Sequence, residues 1–370
     1  MMRVVHLTSA HPRYDTRIFL KMCRSLAAAG YDTFLVVADG LGDERREEVQ
    51  ILDAGKSRQR LSRMLAATRR VADRGLALDA DLYHIHDPEL LPVALRLKRQ
   101  GKQVIFDAHE DLPRQILSKF YLHPVVRHPI AAVMAGFERF ACRRLDAVVG
   151  ATPIITEKFV AMGVPASNVN NYPILGELES ETVAGPKERE VCYVGGIVST
   201  RGIREIVQAV GLSHSDVRLT LAGTFVEPDV QNEVERMAGW PRVDALGFLS
   251  RDGVRDVLAR SMAGLVTLHP TAAFLDSLPI KMFEYMSAGL PVIASNFPLW
   301  REIIEGNQCG ICVDPMNPAA IAAAIDQLAG NPELAKQMGE KGRRAVYDRY
   351  NWGQEEKNLL RLYGSLLTPF

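Results

Sequence analysis

The sequence predicts an α/β protein built as two doubly wound lobes. Three observations predict it. Short apolar strands alternate with amphipathic helices from Arg3 onward, and parallel strands need such helical crossovers. The alternation halts in a polar stretch from about Ile174 to Glu190, rich in Gly, Pro and Glu, and restarts at Val191. Polar clusters gather where strands end, which is where open parallel sheets bind ligands. At 370 residues the chain suffices for two or three domains with ample cores.

In the first lobe, Arg3 to Thr8 is a buried-type strand. The loop Ser9 to Tyr14 follows, then an amphipathic helix from Asp15 to Ala29 with Ile18, Phe19, Met22 and Leu26 as its stripe. Gly30 caps it, and Thr33 to Ala38 is the next strand. The first loop lacks the Gly-x-Gly-x-x-Gly pattern of dinucleotide sites, which argues against an NAD enzyme. Val49 to Asp53 reads as a strand. Lys56 to Arg74 reads as a basic helix, with Lys56, Arg58, Arg60, Arg63, Arg69, Arg70 and Arg74 opposite Leu61, Met64, Leu65 and Val71. Such a face suits anionic lipid or plain solvent.

The strands Asp81 to His84 and Gln103 to Phe106 run into His84-Ile-His86-Asp87 and Asp107-Ala-His109-Glu110-Asp111. Two readings compete here. One is a metal site from His84, His86, Asp87, His109 and Asp111; the other is a set of hydrogen-bonding groups for a polar ligand. A helix over Pro129 to Leu145, a strand over Asp146 to Val149, a helix capped by Thr152-Pro153 and a short strand over Val169 to Pro173 complete the lobe.

In the second lobe, strands are expected at Val191 to Val194, Val217 to Ala222, Val243 to Phe248 and Ala263 to Leu268, with helices between them. The first strand runs into Gly195-Gly-Ile-Val-Ser-Thr-Arg201-Gly202. Glycines there let backbone approach a ligand, and an arginine near a helix start pairs with phosphate. The segment Asp276-Ser-Leu-Pro-Ile-Lys-Met-Phe-Glu284 reads as a loop entering a short helix. Gly289 and Pro291 end that helix, and the strand Val292-Ile-Ala follows. Asp276, Lys281 and Glu284 thus lie around a helix N-terminus above a strand end, a place that favours anions. Pro318 to Leu328, Pro332 to Tyr347 and Glu355 to Leu367 are the closing helices.

Composition narrows the classes. The content is 47% apolar and 24% charged, as in globular proteins. Net charge is zero, yet residues 1–170 carry 25 Lys and Arg against 19 Asp and Glu, so the first lobe is expected to face something anionic. No run of eighteen apolar residues marks a membrane span, and the start of the chain, Met1 to Leu7, is too short for a signal peptide. Five cysteines fit a reduced, cytoplasmic setting. Cys309-Gly-Ile-Cys312 has a redox spacing but sits at a strand, and no second pair completes a zinc site.

The ordered motifs are similar to those of the family 4 retaining glycosyltransferases, and the two lobes with a returning last helix resemble the GT-B fold, two Rossmann-like domains facing a central cleft. Asp276-x7-Glu284 followed by Ser-Ala-Gly-Leu-Pro-Val-Ile-Ala resembles the family's Glu-x7-Glu signature. Val194 to Gly202 resembles its phosphate-binding turn, His109 a donor-contacting histidine, and Asn351-Trp352 the return crossing. The resemblance implies an N-terminal acceptor domain over 1–173, joined by the last helix at 353–370, and a C-terminal donor domain over 174–352. It implies that Glu284 holds the ribose, that Asp276 with Ser277 and Leu278 holds the donor sugar, that Arg201 and Lys281 neutralise the diphosphate, and that Gly195 and Gly196 let the turn approach it. His109 would contact the sugar. Asp276 for Glu, Gly196 for the family's Arg and Arg201 for its Lys depart from the pattern. The first loop also departs, and Arg13, Asp15 and Arg17 are assigned to the acceptor side.

The activity so implied is transfer of a sugar from a nucleotide-activated donor, a UDP-sugar favoured, to a glycan or lipid-linked acceptor in bacterial surface polysaccharide or glycolipid assembly. No metal or other cofactor is expected, and no nucleic acid partner. The expected location is cytoplasmic, with peripheral membrane contact through 56–74. The alternatives are a metal-dependent hydrolase using His84, His86 and His109, and a GT-B-like nucleotide-sugar epimerase.

Overall fold

A computed structural model describes residues 1–56, 66–117, 123–179 and 187–367. The chain divides into two compact units. One is Met1–Asn171 together with Trp352–Phe370, and the other is Tyr172–Asn351.

The first unit is built on an eight-stranded sheet. In chain order its strands are β1 (Arg3–Leu7), β2 (Asp32–Val37), β3 (Glu44–Arg46), β4 (Val49–Asp53), β5 (Leu82–Ile85), β6 (Gln103–Ala108), β7 (Ala147–Gly150) and β8 (Ala166–Asn168). Their spatial order is β3-β4-β2-β1-β5-β6-β7-β8. Only β3 runs antiparallel to its neighbour, and its sequence Glu44-Arg-Arg46 carries no apolar signal. Helices fill both faces, so β1, β5, β6 and β7 are almost wholly buried, as parallel strands require.

Three elements differ from the sequence-based expectation. The first helix is two pieces: a wide π turn over Ile18–Cys23, then an α-helix over Arg24–Ala28. Its apolar stripe is nevertheless buried throughout. The helix expected from Pro129 begins at Pro124, with Pro129 inside it. The strand expected over Val169 to Pro173 lies earlier, at β8. Of the expected basic helix, 57–65 lie outside the described residues, including Arg58, Arg60, Leu61, Arg63, Met64 and Leu65. Thr68–Leu76 is helical. There Arg70 donates to the carbonyls of Ala54 (2.7 Å) and Gly55 (2.9 Å), and Arg74 pairs with Asp43.

The last helix, Trp352–Leu367, completes the first unit. Trp352 Nε1 donates to Ser25 Oγ at 2.9 Å. Glu355 accepts from the backbone and side-chain amides of Asn170, each at 2.9 Å. Leu359 and Tyr363 are fully buried.

The second unit has a six-stranded parallel sheet. Its strands are β9 (Glu190–Val194), β10 (Arg218–Ala222), β11 (Val243–Gly247), β12 (Ala263–Val266), β13 (Val292–Ser295) and β14 (Gly310–Val313). They lie in the order β11-β10-β9-β12-β13-β14. One core joins Val191, Leu219 and Ile293 to the helices Ile203–Leu212 and Pro318–Gly330. On the other face Phe283, from the helix Ile280–Ser287, joins a core with Trp300 and Tyr350. Cys309 and Cys312 are free thiols whose burial pushes their pKa up to about 12, which leaves them unreactive.

Candidate functional site

In the second unit the expected phosphate turn and the expected helix meet. β9 lies between β10 and β12, so its carboxyl end emerges mid-sheet. Gly195 follows at φ +120°, a conformation that side chains rarely adopt. Gly202 at φ +73° precedes the helix Ile203–Leu212, and a Cβ there would meet the Thr267 carbonyl oxygen at 2.0 Å. Between them Arg201 Nη1 donates back to the Gly196 carbonyl at 2.9 Å. Tyr193 Oη donates to the same oxygen at 2.8 Å.

Lys281 reaches this turn from the helix Ile280–Ser287. A Cβ built on Gly195 would lie 3.1 Å from Lys281 Nζ and 3.9 Å from Arg201 Nη1. Lys281 is only 9% exposed, and its Nζ is buried without a hydrogen-bond partner among the described residues. Its Nζ lies 3.8 Å from the Tyr193 ring centroid, and the Glu284 charge also favours the ammonium form. Burial, reinforced by the Arg201 charge, pulls the Lys281 pKa well below the usual lysine range. The helix is fixed in place by Tyr285, whose oxygen accepts from the Val194 amide at 2.9 Å. Gly264 leaves room for the Tyr285 ring, since a Cβ there would lie 2.2 Å from it.

Glu284 follows Lys281 by one turn and is 5% exposed. Its Oε1 accepts from Arg251 Nη1 at 2.8 Å, and Arg251 Nε donates in turn to Glu177 at 2.7 Å. Burial would lower the Arg251 pKa, but Glu177 and Glu284 together raise it. Sequence reasoning missed Arg251, although it carries a signal. It opens a helix that Ser250 caps, and a cation at a helix N-terminus opposes the dipole unless an anion holds it there. Asp276 and Ser277 lie half-buried in the loop before the helix. Ser277 Oγ donates to Phe274 O at 2.9 Å, and its own carbonyl accepts from Trp300 Nε1 at 2.7 Å. Leu278 packs against the core below. A buried cation, a second cation and a glycine turn beside a helix N-terminus form an anion cradle.

In the first unit the histidines gather, but not as the expected metal set. The β1–β5 register places His6 beside His84, and His86 stacks on His84 with ring centroids 4.7 Å apart. His6 Nδ1 and His86 Nε2 are 2.8 Å apart, and His86 Nδ1 lies 3.0 Å from Asp107 Oδ2. His109 Nε2 contacts the same oxygen at 2.8 Å. Tyr363 Oη lies 2.8 Å from His84 Nδ1 and 3.2 Å from His6 Nε2. Asp87 and Asp111 are engaged elsewhere: Asp87 accepts from the Thr8 hydroxyl at 2.9 Å and the Ser9 amide at 2.6 Å, and Asp111 pairs with Lys158 at 3.1 Å. Two triplets, His6/His84/His86 and His86/Asp107/His109, have ligand atoms within 4.8 Å of one another. Most of the polar atoms of these residues are paired with one another, with Arg17 or with Tyr363. Of the five residues read as a possible metal set, His84, His86 and His109 recur in these triplets and Asp87 and Asp111 do not; His6, Asp107 and Tyr363 are the unforeseen members of the hydrogen-bonded network.

The residues expected on the acceptor side are held within the fold. Arg13 makes paired 2.7 Å bonds to Asp39 and lies 3.2 Å from Glu44. Arg17 clasps Asp107 at 2.9 and 2.7 Å and donates to Val169 O at 2.8 Å. Asp15 caps the helix, its Oδ1 accepting from the amides of Arg17 (2.8 Å) and Ile18 (2.9 Å). Burial alone would raise the Asp15 pKa; His11 and those amides outweigh it and hold it low. The side chains of Arg13 and Arg17 are thus committed to buried ion pairs, a consequence of their placement beside Asp39 and Asp107.

Known proteins share this architecture. A model of the glycosyl transferases group 1 matches residues 177–345, and a model of the glycosyl transferase 4-like domain matches residues 16–173. An uncharacterized glycosyltransferase of Methanocaldococcus jannaschii is 25% identical over 179 residues, 48% of this chain and 45% of that protein. The chain spans about half the length of the first curated relatives it matches. Sucrose-phosphate synthase from Thermosynechococcus elongatus superposes with a TM-score of 0.78 at 17% identity, covering 99% of both chains. Anabaena HepE in complex with UDP-glucose gives 0.75 at 16% identity over 99% of this chain and 100% of that one. Those likenesses establish the fold, and the two family matches establish the lineage. The chain belongs to the group 1 glycosyltransferases, of the 4-like type, and has the GT-B fold.

Proposed function

We propose that the protein transfers a sugar, with retention at the anomeric carbon, from a nucleotide-activated donor to a glycan or lipid-linked acceptor. A UDP-sugar is the favoured donor, and bacterial surface polysaccharide or glycolipid assembly is the setting. The observation that carries this reading is Lys281. A buried ammonium without a hydrogen-bond partner is costly, and its Nζ lies beside a glycine turn and a second cation. A diphosphate satisfies all of these groups together.

In this reading Lys281 and Arg201 neutralise the diphosphate as charge builds on it. That is electrostatic catalysis by groups already in place, and it needs no metal or cofactor. Gly195 and Gly196 let the turn come close. Glu284 takes the ribose hydroxyls with the oxygen that Arg251 leaves free, and Asp276, Ser277 and Leu278 take hydroxyls of the sugar. His109 is assigned a sugar hydroxyl. The C1–O bond to diphosphate breaks, the acceptor oxygen bonds to C1 on the same face, and its proton passes to the leaving phosphate oxygen. The complex of Anabaena HepE with UDP-glucose supports a donor of this type. No helix among the described residues is long and apolar enough to cross a membrane, and the proposed membrane contact through 56–74 is peripheral. Liposome binding that persists in high salt would remove that part.

A thermal-shift panel of UDP-, GDP- and ADP-sugars tests the donor reading. At least one is expected to raise the melting temperature, since a ligand of the folded state stabilises it by mass action. Glu284→Ala is expected to weaken that shift and abolish transfer. A panel with no binder, or full transfer by the variant, would overturn the assignment.

A further inference from the structure

We propose that Asp107 and His86 are positioning residues that fix His109 as its Nε2–H tautomer, so that Nδ1 meets the ligand as a hydrogen-bond acceptor. The inference rests on the reading of His109 as a sugar contact and deepens it.

The proton positions follow from counting donors. Asp107 is fully buried. Its Oδ1 accepts from Arg17 Nη2 at 2.7 Å. Its Oδ2 accepts from Arg17 Nε at 2.9 Å, and lies 2.8 Å from His109 Nε2 and 3.0 Å from His86 Nδ1. A carboxylate clasped by an arginine has no proton to give, so both imidazoles must donate to it. That puts a proton on His109 Nε2 and another on His86 Nδ1.

The second assignment propagates through the unit. A neutral His86 must accept at Nε2, and His6 Nδ1, 2.8 Å away, is the donor. His6 then accepts at Nε2, from the Tyr363 hydroxyl at 3.2 Å. The Tyr363 oxygen accepts in turn from His84 Nδ1 at 2.8 Å. His84 Nε2 remains without a partner, as the end of the chain should. Each contact holds one proton, and reversing the chain would require a protonated Asp107. Burial lowers the pKa of His6, His84 and His86, which keeps them neutral. Burial would raise the Asp107 pKa, but Arg17 and His109 hold it well below the usual range.

His109 alone among the carboxylate's imidazole donors reaches solvent, with its side chain 22% exposed. Its Nδ1 makes no hydrogen bond among the described residues. A lone pair at that place accepts from a sugar hydroxyl and repels a carboxylate or phosphate oxygen. The class of donor selected is therefore a neutral sugar with a hydroxyl at this position, not its uronic acid.

Nitrogen NMR of histidine-labelled protein at neutral pH reads the tautomer directly. The expected result is a protonated Nε2 and an unprotonated Nδ1 on His109; a protonated Nδ1 would overturn the proposal. His86→Leu removes one donor from Asp107 and is expected to change the His109 signal and lower kcat about tenfold, with the donor KM little changed. His86→Asn places an amide N–H where Nδ1–H was and is expected to recover most of that loss. If leucine leaves both the signal and kcat untouched, His86 does not position His109. If the signal changes while kcat holds, the tautomer assignment stands and the reading of His109 as a sugar contact fails. Should the leucine variant not fold, the wild-type spectrum and the transfer rates with a neutral sugar donor against its uronic acid still decide.

Discussion

Each unit buries charge near the ends of its central strands, yet the two do so in opposite ways. In the first, Arg17 and Asp107 satisfy one another, and the histidines around them close a chain of hydrogen bonds. In the second, Lys281 is buried without a hydrogen-bond partner among the described residues, and the Arg201 charge opposes its own more than the Glu284 charge favours it. The difference separates two uses of a buried charge. A satisfied charge holds other groups in place, whereas an unsatisfied one stores a cost that a ligand can offset. Substitution should therefore have opposite effects on the two.

The largest effect is expected at Lys281. Lys281→Met keeps most of the packing and removes the ammonium. The ligand-free protein should gain stability, because a buried unpaired charge is lost. Transfer should fall by about a hundredfold or more, the scale of losing one preorganised charge-stabilising group, and nucleotide-induced stabilisation should shrink. Denaturant unfolding and rate measurement on one preparation read both. A variant that loses stability would place Lys281 with the structural charges and erase the contrast.

Arg17→Met is the matching change in the first unit. It leaves Asp107 buried without its counter-charge and should destabilise the protein by about 3–5 kcal/mol. Chemical denaturation checks it. A loss under ~1 kcal/mol would mean that water reaches Asp107, and the satisfied network would no longer be distinct from a solvated one.

How far these sites were legible depended on how local their signals were. Gly195, Arg201, Lys281 and Glu284 lie in two short segments whose strand–loop–helix pattern announces a helix N-terminus, so the cradle could be read in the sequence. Both lobes of alternating strands and helices were legible for the same reason, since period and punctuation are local. The first-unit network was not. His6 sits inside an ordinary apolar strand, and only the register of β1 against β5 makes it a neighbour of His84. Tyr363 lies 357 residues from His6 in sequence, and a helix stripe gives no hint of what it touches. Arg13 and Arg17 were assigned to the acceptor side, and nothing local shows their partners: Asp39 follows β2 and Asp107 lies on β6. The π turn at Ile18–Cys23 escaped because it keeps the apolar stripe of an α-helix.

The smallest expected effect is on the pH dependence of the two units, and it sharpens the contrast most directly. His6, His84 and His86 have pKa values lowered by burial, against an ordinary value of about 6.5. Below that pH the unfolded chain binds protons that the folded one refuses. Stability contributed by neutral histidine is thus complete above about pH 6.5 and is lost as pH falls. His11 has the opposite sign: burial would lower its pKa, but Asp15 and Asp87 raise it, so its contribution is present below about pH 6.5 and lost as pH rises past its folded value. Three histidines against one give a net weakening of the first unit in mild acid. Lys281 follows the same rule from a higher starting point. Its contribution is lost as pH falls below about 10.4, the ordinary lysine value, toward its lowered folded pKa, so the second unit already bears most of that cost at neutral pH. Hydrogen exchange followed peptide by peptide from pH 7.5 to 5.5 should show protection falling in β1, β5 and the last helix, once the intrinsic rate change is removed, while β9 and β12 change less. Equal loss in both units would assign the acid response to the chain as a whole, and the buried histidines would then be no more costly to protonate than exposed ones.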